Sequence, residues 1–144
     1  MKEKAKIYDE IRKKWVEATP EEIIRQNLLH HMVQNLGYPK SLIALEKELS
    51  TLPHLSPQQK QQAPKRRLDI LVYQKKSFLP LLLIECKAIP LTPNKIHQVL
   101  GYNTFVQAPY IGLCNEKEIW IANVQEEEAT FAVNLPPYST LVET

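Results

Sequence analysis

Two runs of strand-forming residues carry charges in the middle of apolar sequence. Arg67-Leu68-Asp69-Ile70-Leu71-Val72-Tyr73 is followed, after the polar stretch Gln74 to Ser77, by Leu79-Pro80-Leu81-Leu82-Leu83-Ile84-Glu85-Cys86-Lys87. Both runs are aliphatic and of strand length, Leu68 to Tyr73 and Leu79 to Cys86, and the stretch between them suits a hairpin loop. Strand side chains alternate, so Asp69 is expected on a face with Leu71 and Tyr73, and Glu85 and Lys87 on a face with Leu83. A charge on an apolar face is costly unless it is paired or holds a metal. Two readings follow: a buried structural salt bridge among Asp69, Glu85 and Lys87, or a cation site with an ammonium beside it.

The order continues with Gln98 and Tyr102 at a four-residue spacing, then Ala108-Pro109-Tyr110-Ile111-Gly112-Leu113. Together with Arg67-x-Asp69 and Ile84-Glu85-Cys86-Lys87, this resembles the signature of the PD-(D/E)xK nuclease superfamily. In particular it resembles the N-terminal nuclease domain of type I restriction enzyme R subunits, in a stand-alone form. The resemblance runs from Pro20 to Asn123 and departs from the signature at Leu68, where the superfamily pattern has Pro.

The resemblance implies a restriction-endonuclease-like core and hydrolysis of DNA phosphodiester bonds. Phosphodiester hydrolysis needs an activated water and a stabilised leaving oxygen, and Mg²⁺ can serve both needs. Mg²⁺ takes oxygen ligands and keeps several waters, so Asp69, Glu85 and the backbone carbonyl of Cys86 would hold it, with Mn²⁺ as a substitute. Lys87 would orient or help deprotonate the water, or stabilise charge on the phosphate. Gln98 would touch the site, and Tyr102 the site or the DNA backbone. In relatives the first core helix adds an acidic residue to the metal site. Pro20-Glu21-Glu22 followed by Arg25-Gln26 resembles that segment, and Glu21 is the candidate taken, although sequence does not separate it from Glu22. DNA is the implied partner, with a homodimer or a larger restriction or repair assembly around it. A second class stands beside the enzyme: a catalytically inactive nucleic-acid-binding or protein-interaction module that keeps the fold.

At 144 residues and a net charge of +2, the chain has the size of one domain and too little length for a nuclease plus a motor. That charge neither demands nor excludes nucleic acid. Cys86 and Cys114 lie in apolar runs without metal-ligand spacing and read as reduced core thiols. The Lys-rich start lacks an apolar signal core and no run reaches membrane-spanning length, so the expectation is a cytoplasmic protein without a membrane partner.

The elements that must position the site follow from local signals. Ile7, Ile11, Trp15 and Val16 form an apolar stripe that predicts a leading helix over residues 1–18, with a strand as the alternative. Thr19-Pro20-Glu21-Glu22 predicts a helix start and Gly37 its stop. Its stripe of Leu28, Leu29, Met32 and Leu36 includes Arg25, which then needs a carboxylate, Glu21 being the nearest candidate. Residues 41–49 predict a first strand, Leu42 to Leu45, ending in Glu46-Lys47-Glu48. Residues 51–64 read as a long connection without periodicity, either a mobile linker or a flap whose Lys60, Lys65, Arg66 and Arg67 contact phosphates. Thr92-Pro93 predicts a helix to Val106, with Ile96, Val99, Leu100 and Phe105 inward. Strands follow at Tyr110 to Cys114, Ile119 to Val124 and, more weakly, Thr130 to Val133, before Pro136-Pro137 ends regular structure. His30, His31 and His97 read as surface residues, and Trp120 as packing. The fold class is α/β (α+β), a mixed central sheet flanked by helices, with the core at 19–133 and a tail at 134–144.

Overall fold

The computed structural model describes residues 4–126 and 132–142. Its first departure from expectation is at the start, where a hairpin of β1 (Lys6–Asp9) and β2 (Lys14–Glu17) replaces the leading helix. Asp9 is the cause. Its Oδ1 accepts the amides of Ile11 (2.8 Å) and Arg12 (3.1 Å), closing a turn that competes with helical hydrogen bonding, and Lys13 takes φ +55°. Ile7 then pairs with Val16 and Tyr8 with Trp15, so the stripe divides between the two faces of a ribbon.

Helix α1 (Pro20–Asn35) begins as its sequence dictates, with the Thr19 hydroxyl accepting the Glu22 amide at 3.1 Å. At its end Gly37 sits at φ +72° and the Tyr38 amide turns back to the Met32 carbonyl (3.1 Å). The five-stranded sheet has the order β3 (Ile43–Glu48), β4 (Arg67–Tyr73), β5 (Pro80–Cys86), β6 (Tyr110–Cys114), β7 (Ile119–Asn123). All neighbours are antiparallel except β5 and β6, which the crossover helix α3 (Pro93–Val106) makes parallel. This is the mixed α/β architecture of a restriction-endonuclease-like core.

Two apolar layers enclose the sheet. Ile70, Val72, Leu82, Ile84 and Ile121 pack with Leu29 and Met32 of α1. Leu71, Leu83, Ile111 and Leu113 pack with Ile96, Val99 and Val106 of α3. Every residue of β5 is buried, so any charge on it lies inside the protein. Leu100, expected inward on α3, is exposed.

Other differences are local. The first strand runs through Glu48 because Glu46, at φ +56°, lets the chain bend while keeping its pairing with β4. Residues 51–64 are not a featureless connection: Ser56 and Gln59 form a reciprocal capping box that starts a short helix, α2 (Pro57–Gln62). Pro136-Pro137 does not end regular structure but precedes α4 (Tyr138–Val142), whose Tyr138 hydroxyl donates to the Tyr73 carbonyl (3.1 Å). Of the weak strand at 130–133, Ala132 makes a single bridge to Ile121, while Thr130 and Phe131 lie outside the described residues.

Gly112 on β6 marks the tightest approach in the sheet. A Cβ there would meet Ile121 Cδ1 at 2.6 Å and Ile84 Cγ1 at 3.1 Å. Gly112→Ala is expected to lower stability by about 1–3 kcal/mol, as overpacking does. Adding Ile121→Val should recover part of the loss. Urea unfolding of the two variants checks both values.

Candidate active site

The register of β4 on β5 pairs Ile70 with Ile84 and Leu71 with Leu83, which sets Asp69 across from Glu85. The pleat breaks at this point. Leu68 and Leu71 both belong to the α3-side layer while Ile70 faces α1, so Asp69 stands outside simple alternation, opposite the bend at Glu46. The expected face shared with Leu71 and Tyr73 is therefore replaced by a position between the layers. Asp69 Oδ2 accepts the Cys86 amide at 2.8 Å, and its side chain is 22 % exposed.

Glu85 is fully buried; neither of its oxygens meets an N–H or hydroxyl donor among the described residues, and the Asp69 carboxyl lies close enough to share a proton with it. Burial first, then the neighbouring Asp69 carboxyl, hold Glu85 well above the ordinary carboxylate range, against the pull of Arg66 and Lys87. The nearest cation is Arg66, whose terminal nitrogen lies 3.7 Å from Glu85 Oε2, too far for a hydrogen bond. Its guanidinium carbon rests 4.7 Å from the Tyr102 ring centroid, and its Nε is itself buried and unpaired. Tyr102 is thus drawn to the site through Arg66.

Lys87 follows β5, with its amide donated to the Cys114 carbonyl at 2.8 Å. Among the described residues its ammonium has no hydrogen bond or ion pair. Gln98 is exposed one turn before Tyr102. Arg67 turns away from the carboxylates to pair with Glu48 (3.2 Å), and Lys65 is exposed. His30, His31 and His97 are exposed, as their sequence reading has them.

On the α1 side a second charge cluster closes against Asp69. Arg25 donates to both oxygens of Glu22 (2.8 and 2.9 Å), to Glu46 Oε1 (2.6 Å) and to the Asp69 carbonyl (3.4 Å), and lies 4.0 Å from Asp69 Oδ1. The carboxylate that answers Arg25 is therefore Glu22 and not Glu21. The buried stripe of α1 comprises Glu22, Arg25, Leu29 and Met32, a rotation that leaves Glu21 exposed on the rim. Arg12 from the hairpin turn completes the cluster, bonding Asp9 and Glu22. Desolvation would lower the Arg25 pKa, but Glu22 and Glu46 outweigh it and raise it. A polar cavity of about 270 Å³ opens here, lined by Arg12, Glu21, Glu22, Arg25, Asp69 and Cys86 among others. The larger cavity, about 650 Å³ between α1 and the β6–β7 turn, contains none of the candidate catalytic residues.

Among the described residues no group of three or more His, Cys, Asp and Glu side chains forms a metal cluster. The pair Asp69 and Glu85 nonetheless fits a hard divalent cation: two crowded carboxylates, one with both oxygens buried and orphaned, offer oxygen ligands where a positive charge is lacking. Glu22 is engaged by two arginines. Sequence reasoning missed Arg12, Asp9 and Glu46, and placed Arg66 in a phosphate-binding flap. The only signal for the first three was an excess of charges around a helix that had to bury Arg25.

A family model described as "Type I restriction enzyme R protein N terminus (HSDR_N)" matches residues 20–136, from α1 to the approach of α4. The hairpin with Arg12 lies before the matched segment. No curated protein matches the chain. The chain belongs to this family of PD-(D/E)xK-type, restriction-related nuclease domains.

Two sets of carboxyls are shifted in opposite directions and carry opposite signatures in stability. Burial would raise the pKa of Glu22 and of Asp9, but hydrogen bonds from Arg25 and Arg12 to Glu22, and from Arg12 and backbone amides to Asp9, win and lower both. The stability they contribute is full above their ordinary values of 4.5 and 3.8 and is lost as pH falls through the depressed folded values. Glu22→Gln should flatten that acid limb and cost about 3 kcal/mol at neutral pH. Glu85 imposes a penalty that is absent in acid and grows as pH rises from 4.5 through its raised folded value. Metal-free Glu85→Gln should therefore be more stable than wild type at neutral pH, by about 1 kcal/mol or more. Urea midpoints between about pH 3 and pH 8 test both.

Proposed function

We propose that this member of the family is a metal-dependent nuclease that hydrolyses DNA phosphodiester bonds, with Mg²⁺ (or Mn²⁺) held by the carboxylates of Asp69 and Glu85 and the backbone carbonyl of Cys86. The observation that supports the reading is the buried carboxylate of Glu85, without an N–H or hydroxyl donor among the described residues, set across from Asp69, with Lys87 two residues on. When bound, the cation supplies a lowered water pKa and a positive charge beside the phosphoryl oxygen.

The chain's own groups do the rest. The Cys86 amide fixes Oδ2 of Asp69, and Oδ1, 4.0 Å from the Arg25 guanidinium, is the oxygen that would ligate. Lys87 Nζ donates to the attacking water, or to phosphoryl oxygens as their charge grows. Glu21, on the rim of the polar cavity, is the carboxylate left to hold an outer-sphere water. Tyr102, which carries the Arg66 guanidinium, and Gln98 one turn before it on α3 would face the DNA, and Lys65 and Arg67 would supply phosphate contacts that position DNA without reading its sequence. A homodimer or a larger restriction or repair assembly would provide a second site for the opposite strand.

Lys87→Ala should keep fold and much of the metal affinity yet lose about 10²-fold or more of Mn²⁺-dependent cleavage, because its interaction strengthens only in the transition state. Asp69→Ala should lose metal binding and cleavage together. The assay is nicking of supercoiled and cleavage of single-stranded DNA over a wide protein range, with calorimetric metal titration of the same samples. If wild type binds metal and DNA but cleaves no faster than Lys87→Ala, the inactive binding module becomes the better account.

A further inference from the structure

Arg66 occupies an odd position for a residue of a basic loop. Its neighbours Lys65 and Arg67 are exposed, while its own guanidinium lies on the Tyr102 ring and points a nitrogen at Glu85. The fit is incomplete on both sides: 3.7 Å separates the charges, Nε is buried without a partner, and so are both Glu85 oxygens. A pair built to hold the fold together would close those hydrogen bonds, since a half-satisfied buried pair is a net cost. The backbone is tied down, the Arg66 carbonyl accepting the Leu49 amide at 2.9 Å, so only the side chain is free to leave. Its side chain is 32 % exposed, which gives it a path to solvent.

We propose that Arg66 is an exchangeable stand-in cation: it neutralises Glu85 in the metal-free protein, is displaced from Glu85 by the divalent cation, and is then presented on Tyr102 to a DNA phosphate. The inference rests on the metal site proposed for Asp69 and Glu85. Two cations compete for one buried carboxylate, so whatever weakens the guanidinium's hold strengthens the metal's, and the coupling is reciprocal. Tyr102 acts as the shelf that holds the guanidinium in either position.

The test is Mn²⁺ titration by calorimetry without DNA, on wild type, Arg66→Met, Tyr102→Leu and Asp69→Ala. Arg66→Met should bind Mn²⁺ about tenfold or more tightly than wild type, on the scale by which outer partners tune metal sites. Tyr102→Leu should shift affinity the same way by less, which serves if Arg66→Met does not fold. A second readout follows Arg66 itself: saturating Mn²⁺ should speed its modification by a dicarbonyl reagent, read by peptide mass, and Asp69→Ala should abolish the acceleration. Equal or weaker Mn²⁺ binding in Arg66→Met, or a modification rate that Mn²⁺ leaves unchanged, overturns the proposal while leaving the metal site standing. Absence of Mn²⁺ binding from wild type and Arg66→Met alike overturns both.

Discussion

A fully buried carboxylate, Glu85, lies beside a part-exposed one, Asp69, and the surrounding structure answers to that constraint. Opposite unit charges about 4 Å apart gain about 4 kcal/mol at the effective dielectric of a protein margin. The desolvation of each buried ion is itself several kcal/mol. A guanidinium at 3.7 Å without a hydrogen bond therefore leaves Glu85 short of full compensation. The Cys86 amide helps only Asp69. What remains is a local deficit of positive charge in an oxygen-lined position, which the fold tolerates because apolar layers on both faces of β5 stabilise it elsewhere.

The same constraint explains the irregular backbone near Asp69. A regular β3–β4 ladder would bury Glu46 or turn it to solvent, whereas a left-handed residue at Glu46 brings its carboxylate to Arg25. Arg25 in turn reaches the Asp69 carbonyl, so the strand carrying the first carboxylate is held by a helix on one side and by β5 on the other. Glu22 and Arg12 neutralise the remainder and bind the N-terminal hairpin to α1. One chain of charges thus runs from the hairpin turn to the site. Its members are worth little singly, but removal of any one strands another in a poorly hydrated place.

What the sequence disclosed follows the range over which each cause acts. The cap at Thr19, the helix start at Pro93, the stop at Gly37 and the buried strands were legible because they depend on neighbours within one turn or on alternation, whereas the Thr92 side chain makes no capping hydrogen bond. The cross-strand meeting of Asp69 and Glu85 was legible because a short hairpin fixes register. The hairpin at residues 6–17 was misread as a helix because the apolar spacing fits both periods, and the deciding bond is made by one side chain, Asp9. Glu22 and Glu21 flank the same stripe, and a small rotation of α1, set by Arg12 from outside the helix, chooses between them. The sequence leaves Arg66 between a mobile linker and a phosphate-contacting flap, because its partners, Tyr102 and Glu85, come from two elements that meet it only in the folded chain.

The two carboxylates are unlike in their setting. Asp69 is part exposed, has one oxygen fixed by a backbone amide and the other toward Arg25, and adjoins the polar cavity. Glu85 is buried, has both oxygens unfilled, and sits on a strand packed along its whole length. Glu85 thus sits on the straight, wholly buried strand and Asp69 on the strand opposite the bend at Glu46. Lys87, just beyond β5 and without a hydrogen bond or ion pair to its ammonium among the described residues, is held by its amide on Cys114, on the same backbone that carries Glu85. Glu85 pairs with Leu113 and the Lys87 amide bonds the Cys114 carbonyl, so the contacts with β6 run past the carboxylate and fix the backbone that carries both residues.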